Sequence, residues 1–333
     1  MTNVPVSDSD IHLFNFALHT EWFSLSFYNS GLARFSVKDF VNDGLSPWVY
    51  GRFQQIQDHE SVHVRYLYEQ VKKQGGEAAK ACHYDFPHDT PTAFVEFASW
   101  LEAIGAAAYH GVTVLLDDQQ FASASGSIFA IEEQHSGWID SAVMKKEPWS
   151  GPFQVPLNPR QIMTLISPYV LSCPPGNPPL PVLYPSLRIS TCVDSIESCF
   201  DNPLAINVKP GQSIQLLFKL PGKDSIPSGA EEVAIKELYA AFLTSNAGVL
   251  YVSINLASST SLSSADSDPQ SESKREDDFK ILTSVSVPSE LLGDAFVLIT
   301  KSNSETEGLK EENMIAGLAL VRVVYDSGTR EMK

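Results

Sequence analysis

Hydrophobic residues recur every three to four positions along most of the first 150 residues. This spacing is that of an amphipathic α-helix, whose apolar face packs against neighbouring elements. Glycine and proline interrupt the pattern and divide it into segments, because both disfavour the interior of a helix. The pattern predicts four long helices, running from Ser7 or Ser9 to Gly31, from Pro47 to Lys73, from about Thr90 to Leu116 and from about Gln120 to Lys146.

The pattern changes after residue 150. Pro159 begins a short fifth helical segment, and a proline-rich connector follows it up to Pro185. From about residue 187, short runs rich in Val, Ile, Leu and Phe alternate with turn residues, as in antiparallel β-sandwiches. A Ser- and Asp-rich insertion between Ala257 and Asp278 is predicted to be a mobile surface loop. The predicted fold class is therefore α+β multidomain, with a four-helix bundle in 1–150, a helix and Pro-rich connector in 151–186 and a β-sandwich domain in 187–333.

Length and charge limit the possible functions. A chain of 333 residues with 43% hydrophobic residues can bury two hydrophobic cores. Its formal net charge of −17 argues against nucleic acid or an anionic membrane as a partner. The N-terminal segment lacks the basic and apolar regions of a secretory signal, and no apolar run approaches the ~20 residues of a membrane span. We therefore expect a cytoplasmic protein.

Four cysteines are too few to indicate a disulfide scaffold. Cys192 and Cys199 are close enough in sequence to pair, and whether they do stays open. Lone thiols are the simpler expectation for a cytoplasmic chain.

Two Glu-x-x-His motifs, Glu60 to His63 and Glu132 to His135, lie in the middle of the second and fourth predicted helices. Residues three positions apart lie on one face of a helix, so each motif presents a carboxylate beside an imidazole. One such motif alone is more often a solvated pair than a set of metal ligands. Its occurrence in two helices is what indicates a shared site.

The first and third predicted helices each carry one glutamate within an apolar stretch, Glu21 and Glu102. Burying four carboxylates is costly unless their charge is compensated, and two divalent cations would cancel it. The order Glu, Glu-x-x-His, Glu, Glu-x-x-His is that of di-metal carboxylate bundles, and Glu102 is a candidate bridging ligand. Carboxylates with imidazoles suit iron or manganese. The candidate metal ligands and catalytic residues are Glu21, Glu60, His63, Glu102, Glu132 and His135.

Several polar residues lie near these six in the sequence. Glu133 lacks the three-residue spacing to His135, so we expect it to face elsewhere. Tyr28 and Tyr109 each follow a candidate glutamate by seven residues, about two turns. Each is expected to hydrogen-bond a carboxylate, to serve redox chemistry or, as the commoner case, to be a core aromatic residue whose hydroxyl has a partner. The remaining nearby histidines are predicted to lie outside the ligand set or at the surface; they are His19, His59 and His110.

The segments NFALHTEWFSLSFY, DHESVH, FVEFASWLEAIGAAAYHG and IEEQHSGWI resemble the four helices of fungal ferritin-like-domain proteins. These are the stress-response or sexual-differentiation type, which are relatives of plant desiccation-related proteins. The connector PLNPRQIMTLISPYVLSCPPGNPPLPVLYPSL also resembles that of the family. The resemblance covers residues 10–200 well and the tail more loosely. It implies a ferritin-like fold and a carboxylate-bridged metal pair at the six candidate residues. Many members of the family look secreted. This sequence departs from them, because no secretory signal is recognised in it.

These observations predict a di-iron enzyme that activates O2 and oxidises a small organic substrate. The expected cofactor is two iron ions, with manganese as the alternative, and a homo-oligomer stays open. One alternative is a dimanganese catalase-like protein that disproportionates peroxide, and another is a non-catalytic, stress-related metal-binding protein. All eight histidines lie at or before His135, so the β-rich part is not expected to hold a copper centre.

Overall fold

The computed structural model describes residues 8–192, 206–219, 237–255, 260–262 and 280–323. The chain divides into two compact units, one of residues 1–149 with 154–182 and one of residues 150–153 with 183–333. The described part of the first unit is mainly helical, and that of the second consists mainly of β-strands. No helix in the described ranges combines the length and the apolar character needed to span a bilayer.

Four long helices dominate the first unit. Helix α1 packs along α3, α4 packs along α5, and α1 also contacts α4. A short two-stranded antiparallel sheet joins β1 to β2. The described elements of this unit are α1 (Asp8–Arg34), α2 (Val37–Asn42), α3 (Pro47–Lys73), β1 (His83–Tyr84), α4 (Pro91–Thr113), α5 (Gln119–Trp138), α6 (Pro159–Ile166) and β2 (Val170–Ser172).

Local sequence explains where the long helices begin. Helix α3 begins at Pro47 and α4 at Pro91, where a missing backbone N–H costs nothing because it would have no partner within the helix. The Thr90 hydroxyl accepts a hydrogen bond from the backbone N–H of Ala93 at 3.1 Å. The Asp118 carboxylate caps α5 in the same way. The predicted bounds of α3 agree with the structure.

The predicted end of the first helix at Gly31 is wrong, because α1 continues to Arg34. A side chain at Gly31 would overlap the ring of Phe94 on α4. The glycine therefore permits close approach of two helices and does not terminate one. The fourth helix also differs from the prediction: α5 ends at Trp138 and is followed by a π-helical turn, Ile139–Val143.

The described residues of the second unit form two sheets of mostly antiparallel strands. One has the strand order β4-β11-β10-β6-β7 and the other β3-β5-β9-β8, and β4 runs parallel to β11. Strands of both sheets contribute to one hydrophobic cluster, for example through Leu216 and Val297. The described strands are β3 (Leu187–Ser190), β4 (Ile206–Val208), β5 (Ser213–Lys219), β6 (Leu238–Thr244), β7 (Gly248–Ile254), β8 (Thr260–Leu262), β9 (Lys280–Ser286), β10 (Gly293–Thr300) and β11 (Met314–Val323).

The predicted surface loop between Ala257 and Asp278 lies outside the described residues, except for the segment that forms β8. That part of the prediction therefore stays untested.

The expectation of lone thiols is wrong, because the described cysteines, Cys82, Cys173 and Cys192, are all disulfide-bonded. Cys82 and Cys173, which are 91 residues apart, form a disulfide beside the two-stranded sheet. The sequence offered no local spacing that would indicate this bond. Cys199 lies outside the described residues. Disulfides are typical of oxidising compartments, so the cytoplasmic location stays a prediction that this bond does not support.

Replacing both Cys82 and Cys173 with alanine is expected to lower the free energy of unfolding of the helical unit by about 2–5 kcal/mol. The cross-link restricts the unfolded chain, and its removal gives that chain more conformations. Chemical denaturation followed by helical circular dichroism measures the effect. As a control, reductant should affect the wild-type protein more than the variant; equal stability of the two oxidised proteins would contradict a stabilising role.

Candidate metal centre

All six residues that the sequence singles out converge in the interior of the helical unit. Glu21 comes from α1, the first Glu-x-x-His motif from α3, Glu102 from α4 and the second motif from α5. All six side chains are buried, and Glu60 and Glu102 have no exposed surface. Their ligand atoms form two groups, each with atoms within 4.8 Å of one another. The groups are Glu21, Glu60, His63 and Glu132, and Glu60, Glu102, Glu132 and His135.

In the first group, Nδ1 of His63 faces three carboxylates. It lies 3.4 Å from Oε2 of Glu21 and 3.5 Å from Oε1 of Glu132. Its distance to Oε2 of Glu60, one helical turn earlier, is 3.9 Å. This nitrogen is therefore the imidazole atom that points into the cluster.

The second group repeats this arrangement around His135. Its Nδ1 lies 3.0 Å from Oε2 of Glu102 and 3.6 Å from Oε1 of Glu60. Glu60 and Glu132 occur in both groups, whereas Glu102 occurs in one. The expectation that Glu102 is a bridging ligand stays a prediction, and the positions common to both groups are those of Glu60 and Glu132.

Two buried tyrosines connect the helices that carry the unshared glutamates. Tyr28 on α1 donates its hydroxyl to Oε1 of Glu102 on α4. Tyr109 on α4 donates its hydroxyl to Oε1 of Glu21 on α1. Each tyrosine thus orients the carboxylate of the opposite helix. Of the alternatives predicted for these tyrosines, the hydrogen bond to a carboxylate is confirmed for both.

Two of the four carboxyl groups, those of Glu60 and Glu132, resist ionisation in the absence of a cation. Burial, together with the charges of Glu132 and Glu21, raises the pKa of Glu60 well above its ordinary value. Burial and the charge of Glu102 raise the pKa of Glu132 to about 8. Burial acts to raise the pKa of Glu21, but the charge of His63 and the polar contacts of His63, Glu60 and Tyr109 together outweigh it, and the pKa is lowered.

At the two clustered histidines, burial and the neighbouring charges shift the pKa in opposite directions. Burial alone would lower the pKa of His63, but the charge of Glu21 and the close carboxylates of Glu132 and Glu60 raise it. His135 behaves in the same way, with Glu102 as the main cause of its raised pKa. Without a metal, protons on the cluster therefore supply part of the positive charge that four glutamates need.

The remaining nearby polar residues lie outside the two groups. Exposed Glu133 accepts a hydrogen bond from Gln154 at 2.6 Å, which confirms that it faces away from the cluster. His110 stacks on Phe129. His19 is buried, and its pKa is lowered mainly by that burial. His59 contacts His135 but belongs to neither group.

Gly105 is a residue of the site that sequence reasoning did not single out. A Cβ at this position of α4 would overlap Oε2 of Glu132. The absence of a side chain therefore makes room for one of the shared carboxylates. The sequence carries a signal for it in the run of small residues after Glu102, which favours close approach of helices without identifying the position that needs it.

The cluster fits a pair of cations better than it fits a metal-free protein. Several of its buried atoms have no hydrogen-bond partner within the described ranges. Native proteins satisfy nearly all such atoms, so these point to a bound group. Carboxylate oxygens and imidazole nitrogens are ligands for iron and manganese. The atoms are Oε2 of Glu21, both carboxylate oxygens of Glu60, Nδ1 of His63 and Oε1 of Glu132.

A cavity of about 10 Å³ lies in the helical unit. Its wall is largely apolar and includes Ala17, Val112, Ile128 and Tyr109. That volume corresponds to about one water-sized molecule. Tyr109 lines the cavity and also donates to Glu21, so it connects this space with the carboxylate cluster.

The cluster lies in a part of the chain that is similar to a known protein family. Residues 9–145 match the sequence profile of the ferritin-like domain. The chain is also similar to protein rds1 of Schizosaccharomyces pombe, with 22% identity over 292 residues. That alignment covers 77% of this chain and 68% of the yeast protein. All six clustered residues lie within residues 9–145.

Replacing Gly105 with alanine is expected to destabilise the protein by about 1–3 kcal/mol, because the added methyl group displaces Glu132. Metal binding should weaken in the same variant. Denaturation and metal titration measure the two effects.

Gly126→Ala in α5 is the matched control, because a Cβ there meets no atom within 4 Å. It should stabilise the protein by roughly 0.5–1 kcal/mol, since alanine favours a helix more than glycine. Equal effects of the two substitutions would contradict the steric explanation.

The metal-free protein is expected to lose stability as the pH rises from about 5 to about 8. Glu132 has a pKa of about 8 in the folded protein, above the ordinary value of 4.5. A group whose pKa is raised by folding contributes its full stability below the unfolded pKa and loses it through the folded pKa. The expected decrease in the free energy of unfolding is on the order of 3 kcal/mol. Denaturation in the presence of a chelator measures it.

Glu132→Gln should reduce this pH dependence, because the amide does not titrate. Glu69→Gln, at an exposed position of α3, should leave it unchanged. A wild-type stability that stays constant or rises over this pH range would show that the carboxyl group is not held protonated.

Proposed function

Because residues 9–145 form a ferritin-like domain, as in fungal ferritin-like-domain proteins, we propose that this chain is a di-metal oxidoreductase. Two iron ions would activate O2 for the oxidation of a small organic substrate. In this proposal α1, α3, α4 and α5 are the four helices of a ferritin-like bundle, and the two sheets of the second unit form a β-sandwich. The shared hydrophobic cluster supports the sandwich.

The observation that carries the proposal is the division of six buried residues into two groups with two members in common. Such sharing is what a pair of neighbouring cations requires, since a carboxylate has two oxygens and can bind one ion with each. Glu21 and His63 would complete one position, and Glu102 and His135 the other. Four negative charges match two divalent cations, and neutral imidazoles add no further charge.

A bound iron pair supplies two electrons for the reduction of O2. The chain contributes orientation, because Tyr28 and Tyr109 each hold one oxygen of an unshared glutamate. It also excludes bulk water, since Tyr28 and Tyr109 are both buried. An apolar cavity of about the size of one water molecule lies beside Tyr109.

The ligand chemistry supports iron or manganese over calcium or magnesium, which prefer oxygen ligands alone. The proposal places iron first because two-electron oxidation by O2 needs a redox-active pair. Elemental analysis of protein purified without added metal separates the possibilities. About two irons per chain support the proposal. Two manganese ions support peroxide disproportionation, and no metal supports a non-catalytic protein.

Substitutions of the glutamates should affect the two metal positions differently. Glu60→Ala is expected to abolish binding at both positions, because Glu60 belongs to both groups. Glu102→Ala should remove one position and leave the other. Glu96→Ala, at an exposed position of α4, should keep the wild-type metal content. Metal content measured after anaerobic loading distinguishes these outcomes.

The reaction itself is tested by reducing the iron-loaded protein without air and then adding O2. Wild type and Glu96→Ala should consume O2, whereas Glu102→Ala should not, because delivery of two electrons needs both metal positions. Iron-loaded wild-type protein that consumes no O2, with or without candidate substrates, would contradict the oxidoreductase and leave a metal-binding protein.

A further inference from the structure

His59 makes a direct hydrogen bond to one of the two clustered histidines. It is an exposed residue of α3, immediately before Glu60. Its Nδ1 lies 2.9 Å from Nε2 of His135 on α5, and the two rings lie nearly parallel. The contact therefore links the surface of α3 to the far side of the His135 imidazole.

The orientation of the His135 ring determines which of its nitrogens is available to a metal and which donates a hydrogen bond. Nδ1 faces the carboxylates of Glu102 and Glu60, so it is the nitrogen available to a cation. A nitrogen that binds a metal carries no hydrogen, and a neutral imidazole then carries its hydrogen on Nε2. That N–H points at Nδ1 of His59, which must accept. His59 therefore carries its own hydrogen on Nε2.

The other clustered histidine lacks the corresponding arrangement in the sequence. His59 precedes the first Glu-x-x-His motif, and the residue that precedes the second motif is Ile131. An isoleucine side chain has no hydrogen-bonding atom. The two motifs therefore match in their ligands and differ in the residue before them.

We propose that His59 is a positioning residue that holds His135 in its metal-binding orientation and makes the Glu102–His135 position distinct from the Glu21–His63 position. The hydrogen bond from Nε2 of His135 fixes both the rotation of the ring and the location of its hydrogen. Such partners of metal-binding histidines increase metal affinity. The inference rests on the metal pair of the proposed function but not on its reaction with O2.

The test is a titration of metal-free protein with Co(II), which stands in for Fe(II) and reports its environment by visible absorption. In His59→Phe, one of the two equivalents should bind about 10–100-fold more weakly. The other equivalent should keep its wild-type affinity. The absorption bands of one equivalent, and not of both, should change.

His59→Asn tests whether the hydrogen bond is the cause. The Asn side-chain oxygen is attached to Cγ, as Nδ1 is in histidine, so it can accept from Nε2 of His135. This variant should recover most of the lost affinity. His83→Phe, which changes an exposed histidine of β1, is the control and should bind both equivalents as wild type does.

Three results would overturn the inference. They are unchanged binding in His59→Phe, equal weakening of both equivalents with intact helical circular dichroism, and failure of His59→Asn to recover affinity. If the wild-type protein binds two Co(II) ions but its iron form does not react with O2, the proposed reaction is contradicted and the role of His59 is not. Wild-type protein that binds no metal would overturn both.

Discussion

The burial of four carboxylates within one helical unit is the constraint on which the rest of this structure depends. An ionised carboxylate in a dry interior is strongly unfavourable unless a charge of opposite sign lies next to it. Burial first, and then the charges of the neighbouring glutamates, raise the pKa values of Glu60 and Glu132 even though two histidines lie beside them. Gly105 makes room for the carboxylate of Glu132, and the hydroxyls of Tyr28 and Tyr109 hydrogen-bond two of the other carboxylates. Two cations at the shared glutamates would solve the problem of burying four carboxylates.

The solution has an approximate internal symmetry. Helices α1 and α4 each carry a glutamate followed seven residues later by a tyrosine, and each tyrosine bonds the glutamate of the other helix. Helices α3 and α5 each carry a glutamate and a histidine one turn apart. Reciprocal contacts of this kind fix the two helix pairs relative to each other within the unit. The symmetry breaks at His59, whose counterpart in sequence is Ile131.

The sequence was sufficient to find the six clustered residues because they follow local rules. Helix periodicity and the three-residue spacing of Glu60 and His63 are properties of one helix, and they can be read without knowing any neighbour. The shared roles of Glu60 and Glu132 are different, since they depend on how four helices meet. The same holds for Gly31, whose missing side chain matters only because Phe94 of another helix lies against it.

The disulfide is a second feature that local sequence patterns did not predict. Cys82 and Cys173 are separated by 91 residues, and nothing in either local sequence indicates the other. Their proximity follows from the pairing of β1 with β2, two strands of two and three residues that carry almost no hydrophobic pattern. Short-range patterns therefore predicted the chemistry of the site but not the cross-link beside that short sheet.

A purely structural role does not account for the six buried polar groups. Apolar residues of similar size usually stabilise an interior at least as well as buried ionic groups do. The carboxylate oxygens of Glu60 without a hydrogen-bond partner in the described ranges therefore lower the stability of the metal-free protein. Buried polar groups that lower stability and point toward one another are typical of a ligand-binding site. The proposed pair of cations would satisfy these atoms, and because His135 contacts His59, the two cations would be held in different environments.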